Sequence, residues 1–485
     1  METPRAPRET PLWARSALVA LVLAAGWLRL HALTAEEPWF DEVFSIVLAS
    51  QDLSELLRRS VADQTNPPGF YLLLWAWTRL GGFDLAWMRL LPALAGTLTV
   101  PALALAARAT GATWSGALVA GALVAVSPLA LAMSSELRAY APLALVTALA
   151  IAAAASRRPV ALATCGVALV SLHYFGALVV AALALGMLWA DRSRPRVALL
   201  PAIPAAVALV LWALLVYGTG DAGTVGGNSS WIPAVGLRAL ASFGSVIIGT
   251  FGTEAGAVAV PLAFLLSLLL ALSRALPRAL PLALPRALPF APPEAVSRAV
   301  MNGSSSARLV IAVAVVPLAL VAVATLLTGR PLWVPRYLIV AIPGWILLVQ
   351  RAIDHAGRWR ATTVGALLGW ATLAGTFAEQ TRVKKTAWSS IARALTAGAP
   401  RTICVNESYV GLPLRYQALS MRLPLTVLDL PACTPTRAPD AMIVREGTEA
   451  SLDRLRAVGA ELGHARDLGT ALPATSIVTL HWRSH

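Results

Sequence analysis

Residues 34–45 read TAEEPWFDEVFS and follow directly on the first hydrophobic span of the chain. They bring four acidic side chains to the membrane surface: Glu36, Glu37, Asp41 and Glu42. Charged residues make up only 13% of the chain, so this concentration is unusual. Because adjacent carboxylates repel each other, Asp41 and Glu42 are not expected to stay ionised together in a dry site without a compensating cation or a chemical role. The competing interpretation is a solvated loop.

The composition is that of a membrane protein. Hydrophobic residues make up 57% of the 485, and the mean hydropathy is +0.69, well above the values of soluble domains. The net charge of +14 raises the question of nucleic-acid binding. The arginines, however, cluster at the ends of hydrophobic spans, where they act as orientation signals, and this excludes a nucleic-acid partner. The three cysteines have no zinc-type spacing.

Apolar runs and basic connectors together predict eleven membrane spans. Arginines in segment 1–15 place the N-terminus in the cytoplasm, and the first span is interpreted as an anchor because it lacks a small-residue cleavage site. Segment 66–82 has an apolar core of only about 10 residues, too short for a crossing. Were it to cross, the basic connectors at 191–196 and 351–360 would move outside. The predicted spans are 16–33, 85–109, 113–132, 139–156, 159–173, a sixth ending before 191, 197–217, 256–273, 309–328, 337–350 and 361–378.

The spans define a membrane domain at 1–378. Its first external loop, 34–84, includes a stretch at 45–63 with the helical spacing of a helix lying in the interface. Residues 233–251 are predicted to form a second interfacial or re-entrant piece. A low-complexity cytoplasmic linker at 274–308 contains ALPRALP repeats, whose proline density excludes a continuous helix. Its arginines are suited to anionic headgroups.

Residues 379–485 are no longer hydrophobic enough to cross a membrane and are predicted to form a small α/β domain outside it. Four runs are strand-like: RTICVN, LTVLDL, DAMIVRE and SIVTLHW. Two further runs, SYVGLPLRYQALS and EASLDRLRAVGAEL, have helical patterns. Cys404 and Cys433 lie in this domain and either form a disulfide in an oxidising exterior or remain two thiols. Cys165 lies in the fifth span and is interpreted as packing.

With this topology, polar and aromatic side chains collect on the external face, whereas the cytoplasmic face carries only arginine-rich connectors. Charges at membrane depth are costly and usually functional. Acids and arginines on one face suggest a site that binds an anionic headgroup and removes a proton. The candidates are Asp41, Glu42, Asn66, Arg89, Glu136, Arg138, Tyr140, His173, Tyr174, Arg336 and Tyr337.

Each candidate also has a structural interpretation. Glu136 and Arg138 are suited to pairing with other charges, and Arg336 to snorkelling at the interface. Arg89 is suited to orienting the second span, and the His173-Tyr174 pair to anchoring aromatic rings at the interface. The convergence of all of them on one face is what favours a functional site.

Six short motifs, in this order, resemble those of GT-C fold glycosyltransferases that use polyprenyl-phosphate sugars. The most similar are the bacterial relatives of the protein O-mannosyltransferases and the lipid A aminoarabinose transferases. This chain departs from them at Asn66, where the family has a histidine before Pro-Pro, and in the basic ALPR insert. The motifs are WFDEVFS (39–45), NPPGFYLLLWAWTRLGG (66–82), MRLLPALAGTLTV (88–100), SSELRAYAPLAL (134–145), VPRYLIVAIPG (334–344) and KKTAWSSIARAL (384–395).

The resemblance implies an inverting hexosyl- or pentosyltransferase of a bacterial inner membrane, acting on its outer face on a polyprenyl-phosphate-linked sugar. Asp41 would deprotonate a hydroxyl of an acceptor protein, lipid or glycan. Glu42 would orient Asp41, hold the acceptor or bind a divalent ion, and no other cofactor is implied. Arg138, Arg336 and Arg89 would stabilise the leaving phosphate. The remaining residues would bind substrate: Glu136, Tyr140, His173, Tyr174, Tyr337 and Asn66.

Two other functions fit a polytopic protein of this kind. A lipid-linked sugar flippase or transporter often shows internal repeats and broken helices at the midplane, and the two halves of this chain show no convincing repeat. An O-antigen ligase-like enzyme also uses a polyprenyl carrier, but its large outer loop lies late in the chain, whereas the Asp41-Glu42 pair is early. Glycosyl transfer is therefore the preferred prediction.

Overall fold

The computed structural model describes residues 10–64, 66–218, 305–328, 332, 336–355, 388–396, 401–405, 408–429, 432, 441–445, 466–471 and 478–482. They belong to two compact units. The first comprises Met1–Leu33 with Gln51–Arg382, and the second Thr34–Ser50 with Val383–His485. The first external loop is thus divided between the units, because Thr34–Ser50 belongs to the unit that contains the C-terminal residues.

The helices, in chain order, are α1 (Leu12–Leu30), α2 (Phe40–Ser50), α3 (Leu53–Asp63), α4 (Gly69–Gly81), α5 (Leu85–Ala109), α6 (Trp114–Ala125), α7 (Pro128–Ser134), α8 (Tyr140–Ala155), α9 (Pro159–Leu172), α10 (Gly176–Ala190), α11 (Pro195–Leu199), α12 (Ile203–Gly218), α13 (Ser305–Thr328), α14 (Ile342–His355), α15 (Trp388–Leu395) and α16 (Ser408–Ser420). Two 3₁₀ turns, Leu200–Ala202 and Tyr337–Ala341, lead into α12 and α14.

Nine of the eleven predicted spans coincide with apolar helices in the described residues, and the other two, 256–273 and 361–378, lie outside them. Four helical stretches are long and apolar enough to cross a membrane on their own: Leu12–Leu30, Leu85–Ala109, Pro195–Val216 and Ser306–Thr325. The apolar helices α8, α9, α10 and Tyr337–Arg351 are shorter. The predicted interfacial piece at 233–251, the helix EASLDRLRAVGAEL and nearly all of the basic linker also lie outside the described residues.

Two predicted segments each consist of two helices. The span predicted at 113–132 is broken into α6 and α7, which are bent by 59°. Pro128 at the start of α7 has no N–H to continue the ladder, and the Ser127 hydroxyl caps the new helix by accepting from Ala130 N at 3.4 Å. The interfacial helix predicted at 45–63 is likewise two helices, α2 and α3. The Asp52 carboxylate caps α3, accepting from Glu55 N at 2.8 Å.

Helix α4 corresponds to the segment that was predicted not to cross. Its 13 residues span only about 20 Å, less than a bilayer core. The Trp77 and Trp87 rings join it to α5, stacked with centroids 4.6 Å apart. Each indole N–H donates to the other residue's carbonyl, at 2.8 and 3.1 Å. The pair fixes the turn that leads into α5.

The second unit has the predicted α/β character. Its strands are β1 (Arg401–Val405), β2 (Leu425–Asp429), β3 (Ala441–Arg445), β4 (Arg466–Ala471) and β5 (Val478–Trp482), in the sheet order β2-β1-β3-β5-β4. β2, β1 and β3 run parallel, while β5 is antiparallel to both β3 and β4. The predicted strands and α16 are present. The strand β4 was missed, because RDLGTA has no apolar alternation.

Candidate active site

A buried histidine is the centre of an aromatic cluster in the first unit. His173 follows the last residue of α9 and is 5% exposed. Its ring centroid lies 6.0 Å from that of Tyr140, at the start of α8, and 5.4 Å from that of Tyr337. Phe175 completes the cluster, 5.4 Å from His173 and from Tyr337. Three connections far apart in sequence therefore meet in one place.

Two guanidinium groups flank this histidine. Arg138 is 8% exposed, and its Nη1 donates to the Tyr71 hydroxyl at 3.1 Å. The guanidinium of Arg336 lies 5.7 Å from the centroid of the Tyr337 ring. Burial and the two neighbouring positive charges all disfavour a charged imidazole. The imidazole is therefore neutral at physiological pH, and both positive charges remain directed at the cluster.

The tautomer of His173 follows from its hydrogen bond. The backbone N–H of Phe175 donates to Nδ1 at 3.1 Å, so Nδ1 carries no proton. A neutral imidazole then has its proton on Nε2, which is a donor. The interpretation of His173 as an interfacial aromatic anchor does not explain this burial or this polarity.

A small cavity joins the cluster to the Asn-Pro-Pro segment. Asn66, Tyr71, Arg138, Tyr140 and His173 all line it, together with Pro67, Phe70, Ala139 and Leu172. The structure thus brings the second and fourth sequence motifs and the residues after α9 to a single polar, aromatic pocket. The cavity itself is small, about 10 Å³, so it marks which side chains meet and is not a pocket for a whole ligand.

Three other candidates have local partners. Arg89 is 1% exposed and donates to Leu33 O at 3.0 Å, at the end of α1, an arrangement that fits its orienting interpretation. The Tyr174 hydroxyl donates to Gln64 O at 3.2 Å and accepts from Trp212 Nε1 at 2.8 Å. Glu136 is half-buried, and its backbone carbonyl accepts from Arg138 N at 2.7 Å.

Arg29, which was not predicted to matter, supports the turn that contains Arg138. It is 4% exposed within α1. Its guanidinium donates to Ala125 O at 3.1 Å and Val124 O at 3.3 Å, carbonyls at the break between α6 and α7. It also donates to Ser134 Oγ at 3.2 Å. The broken helix leaves carbonyls without helical partners, and Arg29 satisfies them.

In the second unit, Asp41 and Glu42 are the first acidic residues of α2, not part of a loop. Negative charge there is favoured by the helix dipole. The Glu42 side chain is fully buried and accepts from Trp39 N at 3.4 Å, which is the back-bond of a capping box. Asp41 is half-buried. The two carboxylates therefore have different environments, and Glu42 has a structural role of its own.

Glu37 is a second residue that sequence reasoning missed. Its Oε2 accepts from Ser389 N at 2.7 Å and from Gln417 Nε2 at 3.2 Å. The Ser389 hydroxyl also donates to Oε1. The carboxylate thus connects the segment before α2 to the N-terminus of α15 and to α16. No local pattern signalled this role, because Glu37 lies two residues before the first of the six motifs, whereas Ser389 lies in the last.

The structure also bears on metals and cysteines. Across its described ranges no group of three or more His, Cys, Asp or Glu side chains could hold a metal ion. Cys404, buried on β1, is disulfide-bonded, and Cys165 is free. Cys433 lies outside the described residues.

This architecture defines a polytopic α-helical membrane protein with the GT-C fold and a small C-terminal α/β domain. ArnT from Cupriavidus metallidurans in the apo state has a similar structure, with a TM-score of 0.59 and 14% identity over 97% of this chain and 98% of that chain. ArnT from the same organism bound to undecaprenyl phosphate has a TM-score of 0.54 and 13% identity, over 96% of this chain and 98% of that chain. The Archaeoglobus fulgidus oligosaccharyltransferase has a TM-score of 0.47 and 12% identity, over 88% of this chain and 66% of that chain. No protein-family profile and no curated protein matches the sequence.

Proposed function

We propose that this protein is an inverting glycosyltransferase that moves a sugar from a polyprenyl-phosphate carrier to an acceptor hydroxyl. The observation that carries the proposal is the pair Arg138 and Arg336 directed at the neutral His173 within a GT-C fold. The similar ArnT structure with undecaprenyl phosphate supports a lipid-linked donor. The transferred sugar is a hexose or a pentose.

The arginines would act on the leaving group. The bond between the anomeric carbon and the phosphate oxygen breaks, and negative charge develops on the polyprenyl phosphate. Arg138 and Arg336 offer planar, bidentate donors to that phosphate. Because the adjacent imidazole is neutral, it adds an N–H donor at Nε2 without an extra charge. Fixed donors of this kind stabilise charge in the transition state at no reorganisation cost.

Asp41 would act on the acceptor. Its carboxylate takes the proton of the attacking hydroxyl, whose oxygen forms the new bond to the anomeric carbon from the side opposite the phosphate. The configuration at that carbon is thereby inverted. Glu42 supports Asp41 by capping the first turn of α2. We assign Arg89 to the α1 terminus instead of the phosphate.

We further propose that the reaction takes place on the outer face of a bacterial inner membrane. Two observations support this location. The basic connectors all fall on the opposite side in the eleven-span topology, and Cys404 of the second unit is disulfide-bonded, which is typical of an oxidising compartment.

The test is sugar transfer by the purified protein in bilayers. Synthetic polyprenyl-phosphate pentoses and hexoses serve as donors, with protein, lipid and glycan acceptors assayed in parallel. Arg138→Lys keeps the charge but loses the planar fork, so transfer should fall by about 10- to 100-fold, the cost of one charge-assisted hydrogen bond. Arg59→Lys, on the exposed face of α3, is the matched control and should transfer at the parental rate. Movement of donor across the bilayer without a new covalent product would indicate a flippase and refute the proposal.

A further inference from the structure

A second cavity lies at the other end of the helices that form the candidate active site. Its volume is about 190 Å³. Its apolar lining comes from the last residues of α5, α8 and α10 and from α11 and α13, including Ala109, Ala154, Met187, Val197 and Leu309. Small alanines at helix ends leave the space open, and neighbouring apolar side chains provide a surface for hydrocarbon.

The rim of this cavity is basic. Arg157 and Arg194 line it together with one acid, Asp191. Arg194 Nε lies 3.9 Å from Asp191 Oδ2. A hydrogen bond from the Ser193 side chain, and then the positive charges of Arg194 and Arg157, lower the pKa of Asp191. Both guanidinium groups are therefore close enough to this carboxylate to stabilise its charge. Arg308, at the start of α13, donates to Trp189 O at 2.8 Å beside the same opening.

The charge at this opening is unbalanced. In the connectors 156–158 and 191–196 and the described start of α13, one acid faces six exposed arginines: Arg157, Arg158, Arg192, Arg194, Arg196 and Arg308. Beside them, exposed apolar side chains continue the surface, with Val160 at 79% and Val197 at 44% exposure. A ligand that satisfies both features is an anion attached to hydrocarbon.

The cavity is separate from the proposed donor site. Tyr140 begins α8 in the aromatic cluster, and Ala154 ends it at this cavity. The intervening 14 residues of helix correspond to about 20 Å. α10 has the same arrangement, beginning near His173 and ending at the cavity. A lipid held here would contact the two helices that carry the active site without occupying it.

We propose that this cavity binds an anionic glycerophospholipid, with its phosphate at Arg157 and Arg194 and its acyl chains along the apolar lining. Basic pockets between helix ends on the cytoplasmic side of a membrane are suited to anionic headgroups, and this is where the eleven-span topology places the connectors. The site does not depend on the proposed glycosyl transfer. It would tie the bundle to the inner leaflet at the ends of α5, α8 and α10.

The double variant Arg157→Gly/Arg194→Gln tests the proposal. Arg157 has a φ of +52°, a left-handed conformation that glycine adopts without strain, so the substitution removes charge without disturbing the fold. Arg58→Gln/Arg59→Gln removes the same two charges from α3, where both pair with Glu55 at the surface, and is the matched control. Thermal unfolding of all three proteins establishes that they are folded.

Native mass spectrometry then measures lipid retained from nanodiscs of phosphatidylglycerol or phosphatidylcholine. We expect the parent and the control to retain phosphatidylglycerol selectively, and the double variant to bind it about 10- to 30-fold more weakly, since each arginine near a lipid phosphate contributes about one kcal/mol. Equal retention of both lipids by the parent, or unchanged selectivity in the double variant, overturns the proposal. Displacement by millimolar inorganic phosphate, or one-for-one by polyprenyl phosphate, also overturns it, because the site would then bind phosphate alone or the donor carrier.

Discussion

Side chains of the same chemical type differ in what they can do, because their immediate partners and their burial differ. Asp41 and Glu42 are adjacent in sequence, yet only Glu42 is fully buried and bonded to the backbone of Trp39. His173 is buried between arginines, whereas His31 is exposed at the end of α1. The first of these differences leads to a prediction.

This prediction concerns the acidic pair. Asp41→Asn keeps the size of the side chain but removes the proton acceptor, so sugar transfer should fall by roughly 10²- to 10⁴-fold with little change in thermal stability. Glu42→Gln should lower the melting temperature, because it weakens the capping bond to Trp39, and reduce transfer less. The measurements are transfer rate and melting temperature of both variants. A fully active Asp41→Asn protein would contradict the assignment of Asp41 as the base and leave only its favourable position in the first turn of α2.

At the scale of elements, the break between α6 and α7 determines where Arg138 lies. Gly96 on α5 makes the space for it, because a Cβ there would come within 2.0 Å of Ser134 Oγ and 2.9 Å of Arg29 Nε. Arg29 and Ser134 in turn hold the end of α7, four residues before Arg138. In the second unit, the Glu37 carboxylate likewise connects distant elements, because it accepts hydrogen bonds from α15 and α16.

Arg29→Met tests the importance of this break. Methionine keeps the apolar stem but removes the guanidinium donor from Val124 O, Ala125 O and Ser134 Oγ, of which Val124 O keeps its bond from Ser127 N. An unsatisfied buried polar group costs about 1–3 kcal/mol, so the melting temperature should fall clearly. Sugar transfer at saturating donor should fall as well, since the turn bearing Arg138 loses its support. Leu23→Met, on the exposed side of α1, is the control, and a parental melting temperature in Arg29→Met would contradict the prediction.

At the scale of the whole molecule, the prediction is the orientation in the membrane. The basic connectors place the N-terminus inside and the C-terminal unit outside. A phosphatase reporter that is active only outside the cytoplasm should be active when fused after Gln380 and silent when fused after Pro289. The reverse pattern would place the second unit, with Asp41, on the cytoplasmic side and remove the basis for an outer-face reaction.

The class of this protein can be predicted from local features of its sequence. Apolar runs and arginine-rich connectors identify a polytopic membrane protein, because membrane insertion depends on local hydrophobicity and charge. Nine of the predicted spans are helices in the described residues. Alternating strands and helices identified the C-terminal α/β domain for the same local reason. Short motifs also named most of the residues that line the cavity around His173.

Which of those residues lie together is visible only in the tertiary structure. Arg138, Tyr140, His173 and Tyr337 meet because the start of α8, the end of α9 and the turn before α14 pack together. Arg89, equally suggestive in sequence, is engaged at the end of α1. Buried Arg29 and bridging Glu37 could not be recognised, because their partners lie about a hundred or more residues away. Side-chain pairing over such separations is set by packing, which no local pattern of residues encodes.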